Sequence, residues 1–407
     1  MERSGPGRPW HVLHLSHTDV RCDGRIAKQV CSLLASEHRL KIVAMGPSSS
    51  DGCAPAGFPR GIEHRVLPLV ARELRFGGRR FRHAITALEM TLRMIASGVR
   101  LRADLVHCHD VLVLPAGWMI AVLTRAQLVY DAHELESHRN GVTRRASRLF
   151  LLVERWSWGR ISLLVSVSPS ILEWYRCNLG PKRSVLVLNS PVVPAVPSDG
   201  PARRRRSFGE PGYFHRRFGV PGGVPMFIYL GLLTRGRGIE SVLDVFRRPD
   251  IRSHVVFMGY GDSVGVGDHA ARFPNIHVHP AVPHDQVVRF TGEADCGLCL
   301  IEDVSLSDRL CLPNKLFEYA FAGVPVLASR LPEIARVVGE HGLGICCDND
   351  PESIAAAVRR IEWEGIESPR ADLAELSWET QASRLKEAYR ELLVGGGAAS
   401  SGAKGGR

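Results

Sequence analysis

Lysine is scarce in this chain: six of 407 residues, against 46 arginines. That bias fits a G+C-rich, bacterial kind of genome and says nothing of function, but other shortages do. No window approaches the roughly 20 apolar residues needed to span a bilayer; the best, 111–124, is broken by Pro115 and Gly117. The ten cysteines show no pairing pattern, and no signal peptide is expected ahead of the first strand, so a reducing cytoplasm is the simplest setting. Cys296 and Cys299 form a CxxC inside the apolar run "DCGLCLI" with no second pair, which reads as buried strand thiols rather than zinc. Aromatic residues are sparse at 7%, and the arginines carry no recognisable recognition module, so a net charge of +10 does not make a nucleic-acid binder.

The charge is unevenly placed. Residues 1–190 hold 27 Lys and Arg against 15 Asp and Glu, whereas the remainder holds 25 against 27. The excess gathers at 72–102 and 139–160, where arginines alternate with Leu, Phe, Trp and Met. Such a surface suits anionic lipid headgroups, on the inner face of the cell membrane, or an anionic acceptor. The plainer alternative is a solvated basic face.

The length favours two domains. After a loose leader, 1–8, the chain alternates strand, turn and helix from Trp10 onward: "WHVLHLS", "HTDVRCDG", a helix over about 25–37, then "LKIVAMG". This predicts a doubly wound parallel sheet with ligands at the carboxyl ends of its strands. Gly24 opens the first helix, where backbone can approach a phosphate or sugar, with Asp19, Arg21, Asp23 and Arg25 offering polar contacts. "ADLVHCHD" then delivers His107, His109 and Asp110 to a strand end, with both histidines on one face, and "QLVYDAHELES" delivers Asp131, His133, Glu134 and Glu136. Two neighbouring strands thus bring imidazoles and carboxylates to one rim.

Residues 191–223, rich in Pro, Gly and Ser around the run Arg203–Arg206, read as a linker. A second doubly wound pattern follows over 224–376. Its first strand ends at Gly231 and leads into "GLLTRGRG", which places Arg235 and Arg237 in the usual phosphate turn; a later strand ends in Gly259-Tyr260-Gly261, a loop that lets a base approach the backbone. A helix at 377–393 and a disordered tail at 394–407 complete the chain.

The stretch around which the second half is organised is Cys311–Arg330, "CLPNKLFEYAFAGVPVLASR". Pro313 starts a short amphipathic helix, and Lys315 and Glu318, three apart, share one side near its amino end. Free amides, the dipole, a cation and a carboxylate together suit a nucleotide, with phosphates on Lys315 and the helix end and ribose hydroxyls on Glu318. A surface ion pair on a packing helix is the alternative.

With "DLVHCHD", "YDAHE", "VSVSPS", "YLGLLTRGRGIES", "MGYGD" and above all "PNKLFEYAFAGVPVLAS", the chain resembles the retaining glycosyltransferases of family four over about residues 10–392. The resemblance implies the α/β GT-B fold, two Rossmann-like doubly wound parallel-sheet domains facing across a cleft. The first, 1–190, would take the acceptor, and the second the nucleotide sugar, while the helix at 377–393 crosses back. It further implies that His133 faces the donor sugar, that Arg237 binds the diphosphate, that Glu318 binds the ribose, and that the backbone around Pro313, Asn314 and Lys315 meets the phosphates. Gly24, Gly231, Arg235, Gly259 and Gly261 are expected on the donor side, and His109, Asp110, Asp19 and Arg25 on the acceptor side. Two positions depart from the family pattern: Leu310 stands where its first glutamate belongs, and Leu232 where an arginine often follows the glycine.

The expected reaction moves a sugar from a nucleotide diphosphate sugar to a hydroxyl acceptor, lipid-linked ones included, in polysaccharide or glycolipid assembly. Cations hold the leaving diphosphate, with no cofactor and no metal expected. Rival readings are a nucleotide-sugar epimerase or phosphorylase on the same architecture, and a catalytically inactive scaffold.

Overall fold

The computed structural model describes residues 8–35, 40–48, 62–73, 78–193, 205–206, 211–369 and 372–398. They divide into two compact units, one comprising the chain to Val187 together with the stretch from Gln381, the other running from Leu188 to Thr380.

The first unit is built on seven strands: β1 (Trp10–Ser16), β2 (Leu40–Pro47), β3 (Glu63–Leu67), β4 (Leu105–His109), β5 (Gln127–Ala132), β6 (Ile161–Ser166) and β7 (Ser184–Leu186). All pair in parallel, in the order β3-β2-β1-β4-β5-β6-β7. The near-continuous apolar runs that made these segments legible reflect burial on both faces, because helices cover each side of a parallel sheet. Those helices are α1 (Gly24–Leu34), α2 (Arg79–Leu101), α3 (Leu114–Thr124), α4 (Arg144–Trp158) and α5 (Pro169–Leu179). Chain order reverses between β1 and β4, so the crevice of this sheet opens at their carboxyl ends. Register then decides which side chains meet there: His14 lies beside His107, Ser16 beside His109, and His109 beside Asp131.

In the second unit a two-residue strand, β8 (Arg205–Arg206), precedes α6 (Tyr213–Phe218) and six parallel strands. These are β9 (Met226–Leu232), β10 (His254–Tyr260), β11 (Ile276–Pro280), β12 (Cys296–Cys299), β13 (Val326–Ser329) and β14 (Gly344–Cys347), ordered β11-β10-β9-β12-β13-β14. Covering helices are α7 (Ile239–Phe246), α8 (Val266–Ala270), α9 (Val287–Thr291), α10 (Leu306–Arg309), α11 (Asn314–Phe321), α12 (Pro332–His341) and α13 (Pro351–Glu364). Strand β15 (Ile366–Glu367) pairs antiparallel with β8, and α14 (Trp378–Ala398) ends the described chain. Among the described residues no helix is long and apolar enough to cross a membrane.

Several boundaries differ from the sequence reading. The supposed linker contains α6, whose Phe214 is fully buried and whose Tyr213 packs edge-on against Phe290, because aromatic burial outweighs the surrounding Pro and Gly. Helix α14 runs on through Gly395–Gly397 to Ala398, inside the stretch expected to be disordered, and 399–407 lie outside the described residues. Arg8, assigned to a loose leader, is held by both oxygens of Asp104 at 2.9 Å, while 1–7 lie outside the described residues. Cys22 is disulfide-bonded. Spacing along the chain does not reveal that pairing, and eight other cysteines among the described residues are free. Cys296 and Cys299 are free and buried, as strand thiols.

The motif helix α11 is fastened at the reversal point of the second sheet, between β9 and β12. The Tyr319 hydroxyl accepts from the Leu230 amide at 3.2 Å and lies 3.1 Å from the carbonyls of both Ile228 and Leu298. Gly297 makes room for its ring, since a Cβ there would come within 2.4 Å of it. Tyr319→Phe leaves the buried Leu230 amide without its acceptor. We expect a loss of about 1–3 kcal/mol in chemical denaturation; an unchanged midpoint and slope would show the hydroxyl to be incidental.

Candidate functional site

A cavity of about 430 Å³ opens at the carboxyl ends of β9 and β10. Its wall is formed by Tyr229–Leu232, Met258–Tyr260, Ala281, Val282, His284 and Val287, with Pro313–Lys315 and Glu318 of α11 and Arg237 of the turn after β9. Two strands approach closely here because Gly259 has no side chain: a Cβ would fall 1.8 Å from the Gly231 carbonyl oxygen. Gly231 itself has φ 112°, a conformation that side chains disfavour.

One polar group of this cavity, the Lys315 ammonium, is left unsatisfied among the described residues. Lys315 is buried, its ammonium has no hydrogen-bond partner among the described residues, and it sits 3.8 Å from the centroid of the Tyr229 ring. A cation held only against an aromatic face is partly desolvated and short of acceptors. Arg237 is half-buried and takes part in no ion pair among the described residues. No side chain caps the amino end of α11, where Pro313 occupies the cap position. The cavity therefore offers two cations and free amides to an anion, with Glu318 one turn further on.

Of the residues expected on the donor side, the structure gathers Gly231, Arg237, Gly259, Pro313, Asn314, Lys315 and Glu318 around this one cavity. Arg235 is not in its wall; its side chain is 84% exposed and stands 3.8 Å from Glu240. Gly261, at φ 73°, lies just beyond β10. Gly24 belongs to the first unit, and the helix end it opens is already occupied, since the Asp23 carboxylate accepts from the amides of Arg25 and Ile26.

The rim of the first unit is a polar network centred on Asp131, which is fully buried. Arg25 donates to both its oxygens, from Nη2 at 2.8 Å and Nε at 3.1 Å, and Gln29 donates to Oδ2 at 2.7 Å. Burial alone would raise the Asp131 pKa, but Arg25 and then His133 outweigh it and hold the carboxyl well below its ordinary range. His133 shows the converse: burial lowers its pKa, yet Asp110 and Asp131, 3.3 and 3.4 Å from its two nitrogens, push it well above 6.5. Asp110 adopts φ 69°, a strained backbone that lets its Oδ1 accept the His133 amide at 3.3 Å. Inside this pair lie His14, His107 and His109, all fully buried and stacked at 4.4–5.3 Å between centroids. Burial pulls each of their pKa values down, His107 to about 3. Glu136, at the outer edge, is raised to about 7 by burial and by Asp110.

Among the residues expected on the acceptor side, His109, Asp110 and Arg25 all belong to this network, whereas Asp19 is engaged bidentately by Arg21 at 2.7 and 3.0 Å. His109, Asp131 and His133 come close enough to share a cation, all ligand atoms lying within 4.8 Å. The two oxygens of Asp131 already accept from a guanidinium and an amide, so a dication there would face Arg25 directly, and we assign no metal site. The triplet Asp348-Asn349-Asp350 also has structural duties: Asp348 meets Arg330 at 3.2 Å and Asp350 caps α13. His14, Gln29 and Tyr389 were not foreseen. His14 was within reach, because β1 adjoins β4 in a doubly wound sheet; Tyr389, on α14, carries no local signal.

Removing one partner of a buried pair leaves an uncompensated charge. Arg25→Met should therefore cost about 3–5 kcal/mol in equilibrium denaturation, and a cost below about 1 would mean Asp131 is held by other means. The pH dependence has two limbs. Asp131, depressed, stabilises above about pH 4 and loses that contribution as pH falls through its folded value; His133, raised, stabilises below about pH 6.5 and loses it as pH rises through its own. The difference in stability between wild type and the variant should shrink as pH falls through the folded value of Asp131, because the charge that Arg25 compensates is then lost.

Comparison with known proteins agrees with this architecture. Residues 24–191 match the glycosyl transferase 4-like domain and residues 224–362 the glycosyl transferases group 1. Glycogen synthase of Mycobacterium tuberculosis is 23% identical over 418 residues, covering 95% of this chain and 90% of that protein. Among solved structures, sucrose-phosphate synthase of Thermosynechococcus elongatus superposes with a TM-score of 0.70 at 16% identity, covering 95% of this chain and all of that one. Anabaena HepE, solved in complex with UDP-glucose, gives 0.63 at 12% identity, covering 96% and 99% of the two chains. With both sheets, their order and both family matches in place, the chain belongs to the glycosyltransferases of the GT-B fold, 4-like in its first half and group 1 in its second.

Proposed function

We propose that this glycosyltransferase takes a nucleotide diphosphate sugar as donor and transfers the sugar, with retention at the anomeric carbon, to a hydroxyl acceptor in polysaccharide or glycolipid assembly. The observation that carries the reading is the unpartnered ammonium of Lys315 in the wall of the β9–β10 cavity, beside Arg237 and the uncapped end of α11. A diphosphate satisfies all three at once. Glu318 then meets ribose hydroxyls, and the glycine backbone at Gly259 admits the base. That HepE binds UDP-glucose and that a curated relative is a glycogen synthase supports the donor class and the kind of product.

Negative charge grows on the diphosphate as the glycosidic bond breaks, so cations already in place stabilise the transition state more than the ground state. Lys315, Arg237 and the α11 amides supply that charge in this mechanism without calling on a metal. His133 takes the sugar-side role that the resemblance gives it. Arg237→Ala should lower turnover by roughly 30- to 1000-fold, equivalent to about 2–4 kcal/mol, and weaken nucleoside diphosphate binding in calorimetry. Wild-type turnover by the variant at saturating donor would sink the assignment, and binding without any turnover in the wild type would favour an inactive scaffold.

The acceptor reading includes lipid-linked hydroxyls, and the first unit has a surface that suits an anionic bilayer. The outward strip of α4 consists of Arg145, Arg148, Leu149, Leu152, Arg155 and Trp156, and that of α2 includes Phe81, Leu88 and Leu92. Leu152 is 63% exposed and Trp156 52%, on helices that a water-facing role would furnish with polar residues. Arginine beside leucine and tryptophan is the pattern of a helix lying in a headgroup layer. Co-flotation with vesicles containing anionic lipid should be lost in the double variant Leu152→Glu/Trp156→Glu and weakened by salt. Flotation equal on neutral vesicles, or none at low salt, would remove the membrane from this reading.

A further inference from the structure

The first-unit network contains groups that the proposed chemistry does not use. Tyr389, His14 and His107 are fully buried, and none of them reaches the surface. They nonetheless line up as a path to His133, whose longest link is the one from Tyr389 to His14. The Tyr389 hydroxyl lies 2.6 Å from His107 Nδ1 and 3.5 Å from His14 Nε2. His14 Nδ1 lies 3.0 Å from His109 Nε2, and His109 Nδ1 lies 3.2 Å from His133 Nε2. His133 Nδ1 ends the path 3.3 Å from Asp110.

Each neutral imidazole has one N–H and one lone pair, so the links of this path are coupled in direction, with Asp131 Oδ2, 3.5 Å from His109 Nδ1 and 3.4 Å from His133 Nε2, the competing acceptor. When His133 carries two protons it donates Nδ1–H to Asp110 and Nε2–H inward. His109 must then hold its proton on Nε2 and donate to His14 Nδ1, and His14 donates Nε2–H to the Tyr389 oxygen. The single Tyr389 proton is left for His107 Nδ1, which fixes the His107 proton on Nε2, 3.6 Å from Asp131. With His133 neutral and protonated on Nδ1 the polarity reverses: Tyr389 donates to His14 and must accept from His107 Nδ1. His107 Nε2 then points a lone pair at the Asp131 carboxylate. His107 Nε2 is buried and has no close hydrogen-bond partner, so nothing else relieves that opposition.

We propose that Tyr389 and His14 are positioning residues for His133, and that the Tyr389–His14–His109 chain, by its coupled hydrogen-bond polarity, favours the doubly protonated imidazole of His133. The final helix is thereby tied to the charge of a group 256 residues earlier in the chain. The other charged and titratable groups that act on His133 are Asp110, Asp131, His17 and Glu136, with Arg25 acting through Asp131. The burial and stacking of the three inner histidines keep them neutral, which lets them pass polarity instead of charge.

The test is a pH titration of the histidine rings by side-chain nitrogen NMR on the full chain, for wild type, Tyr389→Phe and His14→Gln. Removing the hydroxyl leaves His107 free to keep its Nε2 proton whatever the state of His133, so the two sites uncouple. The His133 midpoint should fall by about half to one pH unit in Tyr389→Phe, the equivalent of one net hydrogen bond. His14→Gln breaks the same path one link further on and should give a fall of similar size, which keeps the idea open to test if Tyr389→Phe folds poorly. Unchanged His133 midpoints in folded variants would overturn it, and the histidines would then be satisfied core residues only. Activity separates this inference from the role of His133 on which its functional meaning rests. If the NMR midpoint falls and the pH profile of kcat follows, both stand; if the midpoint falls while the profile stays, the chain is real and His133 is not the group that governs turnover.

Discussion

A carboxylate buried to zero exposure cannot stay ionised without compensation, and much of the first unit is arranged around that fact at Asp131. Helix α1 enters where it does because Arg25 and Gln29, one turn apart, must both reach the end of β5. The Arg25 guanidinium also donates to the Val187 carbonyl at 3.0 Å, which fastens the segment after β7 to the same point. His107, His109 and His133 then come within 3.4–3.6 Å of Asp131 Oδ2. The cost of burying the charge is met by geometry contributed from β1, β4, β5, α1 and α14 together, so no one of these elements is free to shift independently.

The two sheets end their strands in opposite electrostatic conditions. At the first rim nearly every donor has found an acceptor within the protein: Asp23 takes the amides of α1, Asp131 takes Arg25, and Asp110 takes His133. At the second rim the amides of α11 have no side-chain cap, and the Lys315 ammonium has only the face of Tyr229. Helix amino ends favour anions in both places, but only the second leaves that preference unmet. The same fold thus satisfies one rim from within and leaves donors of the other unmet among the described residues.

Most of the architecture was legible in the sequence because parallel strands buried on both faces read as apolar runs, and the turns between them carry glycine. The alternation that set His107 and His109 on one face translates directly into their stacking at 4.4 Å. The spacing that put Lys315 and Glu318 on one side of a helix brings both to one cavity. What escaped were partners joined by long-range contact. Tyr389 meets His107 across 282 residues, and no periodicity in α14 marks the one tyrosine that turns inward. Arg25 looked like a ligand-facing cation because its place at a helix start is the same whether it faces solvent or a buried aspartate. Composition misled where a few aromatics outweigh many glycines and prolines, as in α6.

The two departures from the family pattern bear on the second rim. Leu232 lines the cavity and is 46% exposed, so it contributes apolar wall where the resemblance would place a guanidinium; Leu310 sits half-buried at the end of α10 and adds no carboxylate. Positive charge in the wall therefore reduces to Lys315 and Arg237. A buried ammonium without an acceptor destabilises the protein that carries it, by about 1–3 kcal/mol or more for a charged group. An anion that supplied the acceptor would turn that cost into affinity. Tyr229 offers the ammonium its ring face at 3.8 Å, an attraction that supplies no acceptor lone pair of the kind an anion has.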